Sequence, residues 1–266
     1  MTNKLGVAYN LFDGEENLLT SIKSIKKNVN YICIVVQEVS NFGQTNKNII
    51  NVCKKLFKDN FIDQYYIYHP EINIDPHINE TKKRNIGLDL CRKQNCTHFM
   101  TMDADEIYIP QQFEKAKQKV YATNLDAAVC QMVTYYKQGD YIIDPPENYF
   151  VPFIYKISPD KNFKYAIHFP VLIDPTRRIN SQTVGTFKRE DFLMHHVSYI
   201  RNNIRDKFLN SSSRISMNKN IDILVDKYMN WNINKKACIV DGYNVSYRSI
   251  KQVDDIFKTI EQIYND

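Results

Sequence analysis

Residues Tyr31 to Val36, YICIVV, are six consecutive apolar side chains with no polar break. A strand with one wet face alternates, so a short unbroken run like this fits a strand covered on both faces, as in a parallel sheet between helices. The surrounding sequence keeps that rhythm. LGVAY (Leu5 to Tyr9) reads as a strand, and EENLLTSIKSIKK as a helix with Leu18, Leu19, Ile22 and Ile25 on one face. A helical segment near Thr45 to Lys58, a strand in QYYIYH, a third helical segment over Asn79 to Gln94 and a strand entering THFMTMD complete a β-α-β-α-β-α-β series. Such a series predicts an α/β fold with a Rossmann-type, mostly parallel central sheet flanked by helices.

From Ala127 the pattern changes. The strand-like, Tyr-rich pieces AAVCQMVTYY and YFVPFIYKI follow one another with little helix between them, and the Asn-rich stretch near Asn202 to Asn220 reads as loops or helix ends. The tail SIKQVDDIFKTIEQIY predicts a helical C-terminus, with Ile250, Val253, Ile256, Phe257, Ile260 and Ile263 as its apolar stripe. The expected organisation is one domain of 266 residues, with a ligand-binding front half over 1–126 and a mixed half over 127–266.

A formal net charge of +5, with basic residues spread among acids, lacks the stripe of a dedicated nucleic-acid binder. No apolar run reaches the roughly 20 residues of a membrane span, and MTNKLGVAYN has no signal-peptide core. The six cysteines are scattered without a CxxC pair and read as reduced thiols. These features together lead us to expect a soluble, cytoplasmic protein.

The fourth predicted strand ends in THFMTMDADEIYIP, with Asp103, Asp105 and Glu106 inside four positions. Carboxylates this close repel unless something positive sits between them, either a metal ion or a basic neighbour. The chain has neither the GxGxxG of a dinucleotide site nor the GxxxxGK[ST] of a P-loop. A phosphate ligand would then need another counter-charge, for which a divalent ion on the acids is one source. The acids also stand where open α/β sheets bind ligands, at the carboxyl ends of strands. A D-x-D is short enough to arise by chance, with Asp103 capping a turn and Asp105 solvated.

With the strand rhythm and DADE together, the chain resembles the GT-A glycosyltransferases, in particular the family 2 type of bacteria and large DNA viruses. Four segments carry the likeness: YNLFDGEENLLTSIKSI, KKRNIGLDLC, MDADE and FLMHHVSYIR. The resemblance implies a metal-dependent, inverting transfer of a sugar from a nucleoside-diphosphate donor, in the first place a UDP-sugar, to a hydroxyl of a glycan or glycoconjugate. It implies donor contacts from Ala8, Tyr9, Asn10, Gln37, Lys83, Arg84, Asp103 and Ala104. It also implies Mn²⁺ or Mg²⁺ on Asp103 and Asp105, completed by His195 or His196. Were the chain viral, its compartment would be the host cytoplasm. Gln37-Glu38 departs from the acid often found after the second strand of the family.

If HHVS is extended, alternation turns only one of the two histidines inward. Arg177, Arg178 and Arg201 are further possible anion contacts. An inverting transfer needs a carboxylate at the acceptor hydroxyl, for which Asp191 is the first choice, with Glu190 beside it and Asp174 as rival. Tyr135, Tyr136, Tyr141 and Trp231 offer flat faces for a sugar, or for ordinary packing. Two other readings stand beside the transferase. A sugar nucleotidyltransferase would carry a Gly-rich basic loop after the first strand, which YNLFDGEEN is not; a non-catalytic binding or scaffold protein could keep the same fold.

Overall fold

The expected alternation is realised strand by strand in the computed structural model, which describes residues 2–212, 214, 220–241 and 244–265. Strands β1 (Leu5–Leu11), β2 (Tyr31–Val36), β3 (Gln64–Ile67) and β4 (His98–Asp103) lie in the spatial order β3-β2-β1-β4, all parallel. Helices α1 (Glu15–Lys26), α2 (Ile49–Lys58) and α3 (Pro76–Lys93) connect them. Along β1, Leu5, Val7, Tyr9 and Leu11 face one core with Leu18, Ile22, Ile49 and Cys53, while Ala8 faces the other with Leu88 and Cys91 of α3. This two-sided burial is why YICIVV carries no polar side chain. Gly87 lets α3 lie close on the sheet: a Cβ there would stand 2.4 Å from the Ala8 Cβ.

The second half continues the sheet. After β5 (Glu106–Ile107) and α4 (Pro110–Thr123), the long β6 (Ala127–Tyr136) is followed by β7 (Tyr141–Asp144) and β8 (Phe150–Lys156). Strand β8 inserts antiparallel between β4 and β6. Strand β9 (Val184–Phe187) and then β10 (Leu193–Tyr199) pair parallel to β6, and β10 also pairs with β5, setting His196 opposite Glu106. Helices α5 (Ile204–Asn210) and α6 (Ile221–Met229), the hairpin β11 (Ala237–Asp241) and β12 (Asn244–Gln252), and α7 (Ile256–Asn265) end the chain.

The tail departs from expectation. The stretch expected to be helical from Ser249 is strand until Gln252, with Ile250 opposite Ile143 of β7. The helix begins only where the Asp255 carboxylate accepts the backbone N–H of Phe257 at 2.9 Å and of Lys258 at 3.2 Å. A free edge on β7 captured the first part of the apolar stripe, and the cap set the start of the rest. Within the Asn-rich stretch, 204–210 is helix α5, while 213 and 215–219 lie outside the described residues. All six cysteines are free and buried. Among the described residues no helix is long and apolar enough to cross a membrane.

Asp126 ties the start of β6 to the loops around it. Its carboxylate accepts from Lys161 Nζ at 2.9 Å and from the backbone N–H of Gln182 and Thr183 at 2.8 and 3.0 Å. Burial opposes its ionisation, but these donors prevail and pull its pKa down from 3.8 to about 2. A depressed carboxylate stabilises the fold above its unfolded pKa and stops doing so as the pH falls through its folded value. Asp126→Asn should therefore cost roughly 2 kcal/mol at pH 6, the gap to wild type closing towards pH 2. Urea unfolding at the two pH values measures it, and a gap independent of pH would contradict the assignment.

Candidate functional site

Strands β1 and β4 run in register with Asn10 opposite Asp103, so both side chains emerge at the carboxyl edge of the sheet. Gln37 follows β2 at the same edge. Around them opens a cleft of about 430 Å³, also lined by Asp13, Glu80, Lys83, Arg84, Ala104, Asp105, Glu106, Tyr149, Asp174, Arg177, His196, Arg201 and Lys207. It lies where strand order reverses between β1 and β4, the usual ligand position of open α/β sheets.

The acids of DADE have basic partners. Arg177 Nη2 is 2.7 Å from Asp103 Oδ2 and also bonds Glu106 Oε1. Arg84 Nη1 is 3.5 Å from Asp103 Oδ1, and its Nη2 is 3.7 Å from Asp174 Oδ2. Arg201 Nη2 is 2.5 Å from Asp105 Oδ2, with Lys207 Nζ at 3.8 Å from the same oxygen. Each basic group is delivered by a specific local structure. Arg84 sits on α3, held by Thr101 Oγ1 and Thr176 Oγ1. Arg177 ends a 3-10 turn (Pro175–Arg177) capped by Asp174, which accepts from Thr176 N at 2.7 Å. Arg201 lies between β10 and α5, in a loop fastened to α1 by Asn17 Nδ2 to Ile200 O and by Asn202 N to Glu16 Oε1, both 2.9 Å. Lys207 comes from α5.

These pairings split the acids. Burial pushes all three carboxyls towards neutrality. At Asp103 the two arginines outweigh burial and hold the group below the usual carboxylate range. Arg201, His196 and Lys207 do the same at Asp105. At Glu106 burial wins over Arg177, and its pKa rises to about 7. Asp13 and Glu80 are also raised by burial. Burial lowers Lys83 and Lys207 to about 8.

The structure sorts the expected residues by place. Asn10, Gln37, Lys83, Arg84, Asp103, Ala104, Asp105, Asp174, Arg177, His196 and Arg201 line the cleft. Ala8 and Tyr9 are fully buried in the sheet. Glu190 and Asp191 are exposed in the turn before β10. Alternation along β10 separates the histidines: His196 lines the cleft, whereas His195 Nδ1 meets Tyr135 Oη at 2.8 Å. Arg178 donates to the backbone oxygen of Ile167 instead. Tyr136, Tyr141 and Trp231 pack on one another, Trp231 standing 5.4 and 5.7 Å from the two tyrosine rings, and do not line the cleft. Sequence reasoning missed Asp13, Glu80 and Lys207. Asp13 had a signal, since it follows directly on the carboxyl end of β1.

An ion at Asp105 would find few donors. Among the described residues no three His, Cys, Asp or Glu side chains converge on one point. Asp105 Oδ2 is engaged by Arg201, and Oδ1 faces His196 Nε2 at 3.8 Å. An octahedral ion with bonds of about 2.1 Å needs donors roughly 3.0 Å apart when adjacent or 4.2 Å when opposite. The donor set as it stands does not fit a resident divalent ion.

No family model matches the chain, and no curated protein matches it. Among solved structures it is similar to S. aureus TarS, at 11% identity over 85% of this chain and 43% of that one, with a TM-score of 0.48. It is also similar to TarS 1–349, at 10% identity over 85% and 71% with a TM-score of 0.49, and to TarS 1–349 in complex with UDP-GlcNAc, at 11% over 85% and 72% with 0.48. The chain thus spans less than half of the first of these structures. The likeness is one of general outline, and no residue role passes from it.

Arg177 is 4% exposed and Glu106 3%, so removing the guanidinium strands a buried carboxyl. Arg177→Ala should lower stability by about 3 kcal/mol, Glu106 taking up a proton to limit the loss. Denaturant midpoints read this directly. A variant as stable as wild type would contradict the clamp.

Proposed function

We propose that the chain is a glycosyltransferase that takes its sugar from a nucleoside-diphosphate donor, in the first place a UDP-sugar, and passes it to a hydroxyl of a glycan or glycoconjugate. The observation that carries this reading is the pairing of two chemistries at one sheet edge. Amide groups stand at the ends of β1 and β2, and buried cations stand around the end of β4.

At the amide end, Asn10 Oδ1 and Gln37 Oε1 are buried acceptors with no partner among the described residues, while Gln37 Nε2 is committed to Asn41 Oδ1 at 3.4 Å. Buried acceptors left unpaired are costly, and the N–H of a uracil ring satisfies one. At the cationic end, Arg177 Nη1 and Arg201 Nε and Nη1 are donors without partners among the described residues. A diphosphate accepts bonds of this kind strongly. The cleft volume suits a ligand of nucleotide-sugar size.

Transfer then requires one carboxylate in reach of the acceptor. Of Asp174, Glu190 and Asp191, Asp174 is the one that lines the cleft, and we give it that role. The acceptor oxygen forms its bond to the sugar carbon as the bond to the β-phosphate oxygen breaks. The electron pair leaves on the diphosphate, and the acceptor proton passes to Asp174. Its Oδ1 is occupied by Thr176, and Oδ2 stands 3.7 Å from Arg84 Nη2 and 3.9 Å from Arg177 Nε.

Thermal unfolding with UDP, GDP, CDP and ADP tests the donor class. UDP at about a hundred times its dissociation constant should stabilise the fold by about 2.7 kcal/mol, the other nucleotides less. No shift with any nucleotide would turn the reading towards a non-catalytic protein, and pyrophosphate rather than UDP as product would favour a nucleotidyltransferase. For the base, Asp174→Asn keeps the turn cap and should slow UDP release from a UDP-sugar by about a hundredfold or more while UDP binding stays. Unchanged turnover would remove Asp174 from the role.

A further inference from the structure

We propose that Arg201 and Lys207 supply the counter-charge for the donor diphosphate, so that donor binding in this cleft needs no divalent cation. This rests on the nucleotide-sugar reading above and departs from the metal that the D-x-D resemblance implies. The place of the Arg201 guanidinium is built into the fold. Gly14 precedes α1 with φ +82, and a Cβ there would stand 1.9 Å from Arg201 Nη1. The first turn of α1 therefore leaves a space that the guanidinium fills, and the bonds from Asn17 and Asn202 hold the loop that carries it. The Arg201 side chain is 5% exposed and bonded through Nη2 to Asp105, with Nε and Nη1 left over.

Lys207 is the second fixed cation. Its Nζ donates to Ser198 O at 2.9 Å, lies 3.8 Å from Asp105 Oδ2 and stands 5.5 Å from the centre of the Tyr199 ring. Arg201 and Lys207 both line the cleft with Asp105. They crowd Oδ2 of Asp105, Arg201 within hydrogen-bond distance and Lys207 at 3.8 Å, so a divalent cation brought to this carboxylate would meet two like charges beside its ligand. A guanidinium and an ammonium meet the need that an ion would meet. They stabilise the negative charge gathering on the departing diphosphate, from positions set before the reaction. Asp105 is then the group that orients Arg201.

The test is calorimetric titration of UDP into the full chain, once in EDTA and once in Mn²⁺. The variants are Lys207→Gln and Arg201→Lys, the conservative change that keeps the charge and loses the fork should Arg201→Gln fail to fold. The proposal expects UDP dissociation constants in EDTA and Mn²⁺ that agree within about twofold, and weakening by about tenfold or more in EDTA for Lys207→Gln. UDP binding that appears only with Mn²⁺ would overturn this inference and leave the donor reading intact. Lys207→Gln binding as tightly as wild type in EDTA would also overturn it. UDP bound under neither condition would overturn the donor reading, and the inference with it.

Discussion

The pairing of three crowded carboxylates with buried arginines is the interaction on which the rest of the structure depends. Asp103, Asp105 and Glu106 come from the end of β4 and the start of β5. Arg177, Arg201 and Lys207 come from 71 to 104 residues later in the chain. Burying a carboxylate without a partner costs several kcal/mol. Asp103 has Arg84 within the front half, but Asp105 and Glu106 take their basic partners Arg201 and Arg177 from the second half. The insertion of β8 beside β4 and the pairing of β10 with β5 join the two halves at this edge.

Backbone geometry then decides which acid does what. Asp103 shares register with Asn10 at the edge of the parallel strands and meets the arginines that hold α3 and the 3-10 turn. One turn later the carbonyl oxygen of Asp105 accepts from Val197 N at 2.9 Å, which draws its side chain towards His196 and Arg201. Glu106 falls behind them, beneath Arg177, where burial keeps its proton near neutrality. The result is a set of fixed, buried cations held by the ionised acids they pair with, Asp103 standing more exposed than Arg84 and Arg177. Cations fixed in this way suit a polyanionic ligand, because the donors are oriented before the ligand arrives.

Much of the framework was legible because it rests on periodicity. YICIVV and AAVCQMVTYY carry the bounds of β2 and β6, since both runs are almost wholly buried and are apolar at their two ends. Alternation alone implied that one of the two histidines faces inward, while which one does is set by the pairing of β10 with β5 and β6. The tail was misread because a helical stripe of apolar residues from Ile250 to Ile263 is also compatible with a strand followed by a capped helix, and the deciding partner, β7, lies more than a hundred residues away. The answer to the acid knot was not legible for a related reason. That Arg177 and Arg201 reach Asp103 and Asp105 depends on a short capped turn and on the absence of a side chain at Gly14. Spacing along the chain contains neither. Lys207 was overlooked because a lysine on a polar helix looks like any solvated one.

The central claim is that the acids at the end of β4 are balanced by the protein's own cations. A double-mutant cycle between Asp105→Asn and Arg201→Gln, read as unfolding free energy in EDTA, measures that balance most directly. The account predicts a coupling energy above about 1.5 kcal/mol, as contacting buried charges give. Independent effects, with coupling below about 0.5 kcal/mol, would contradict it.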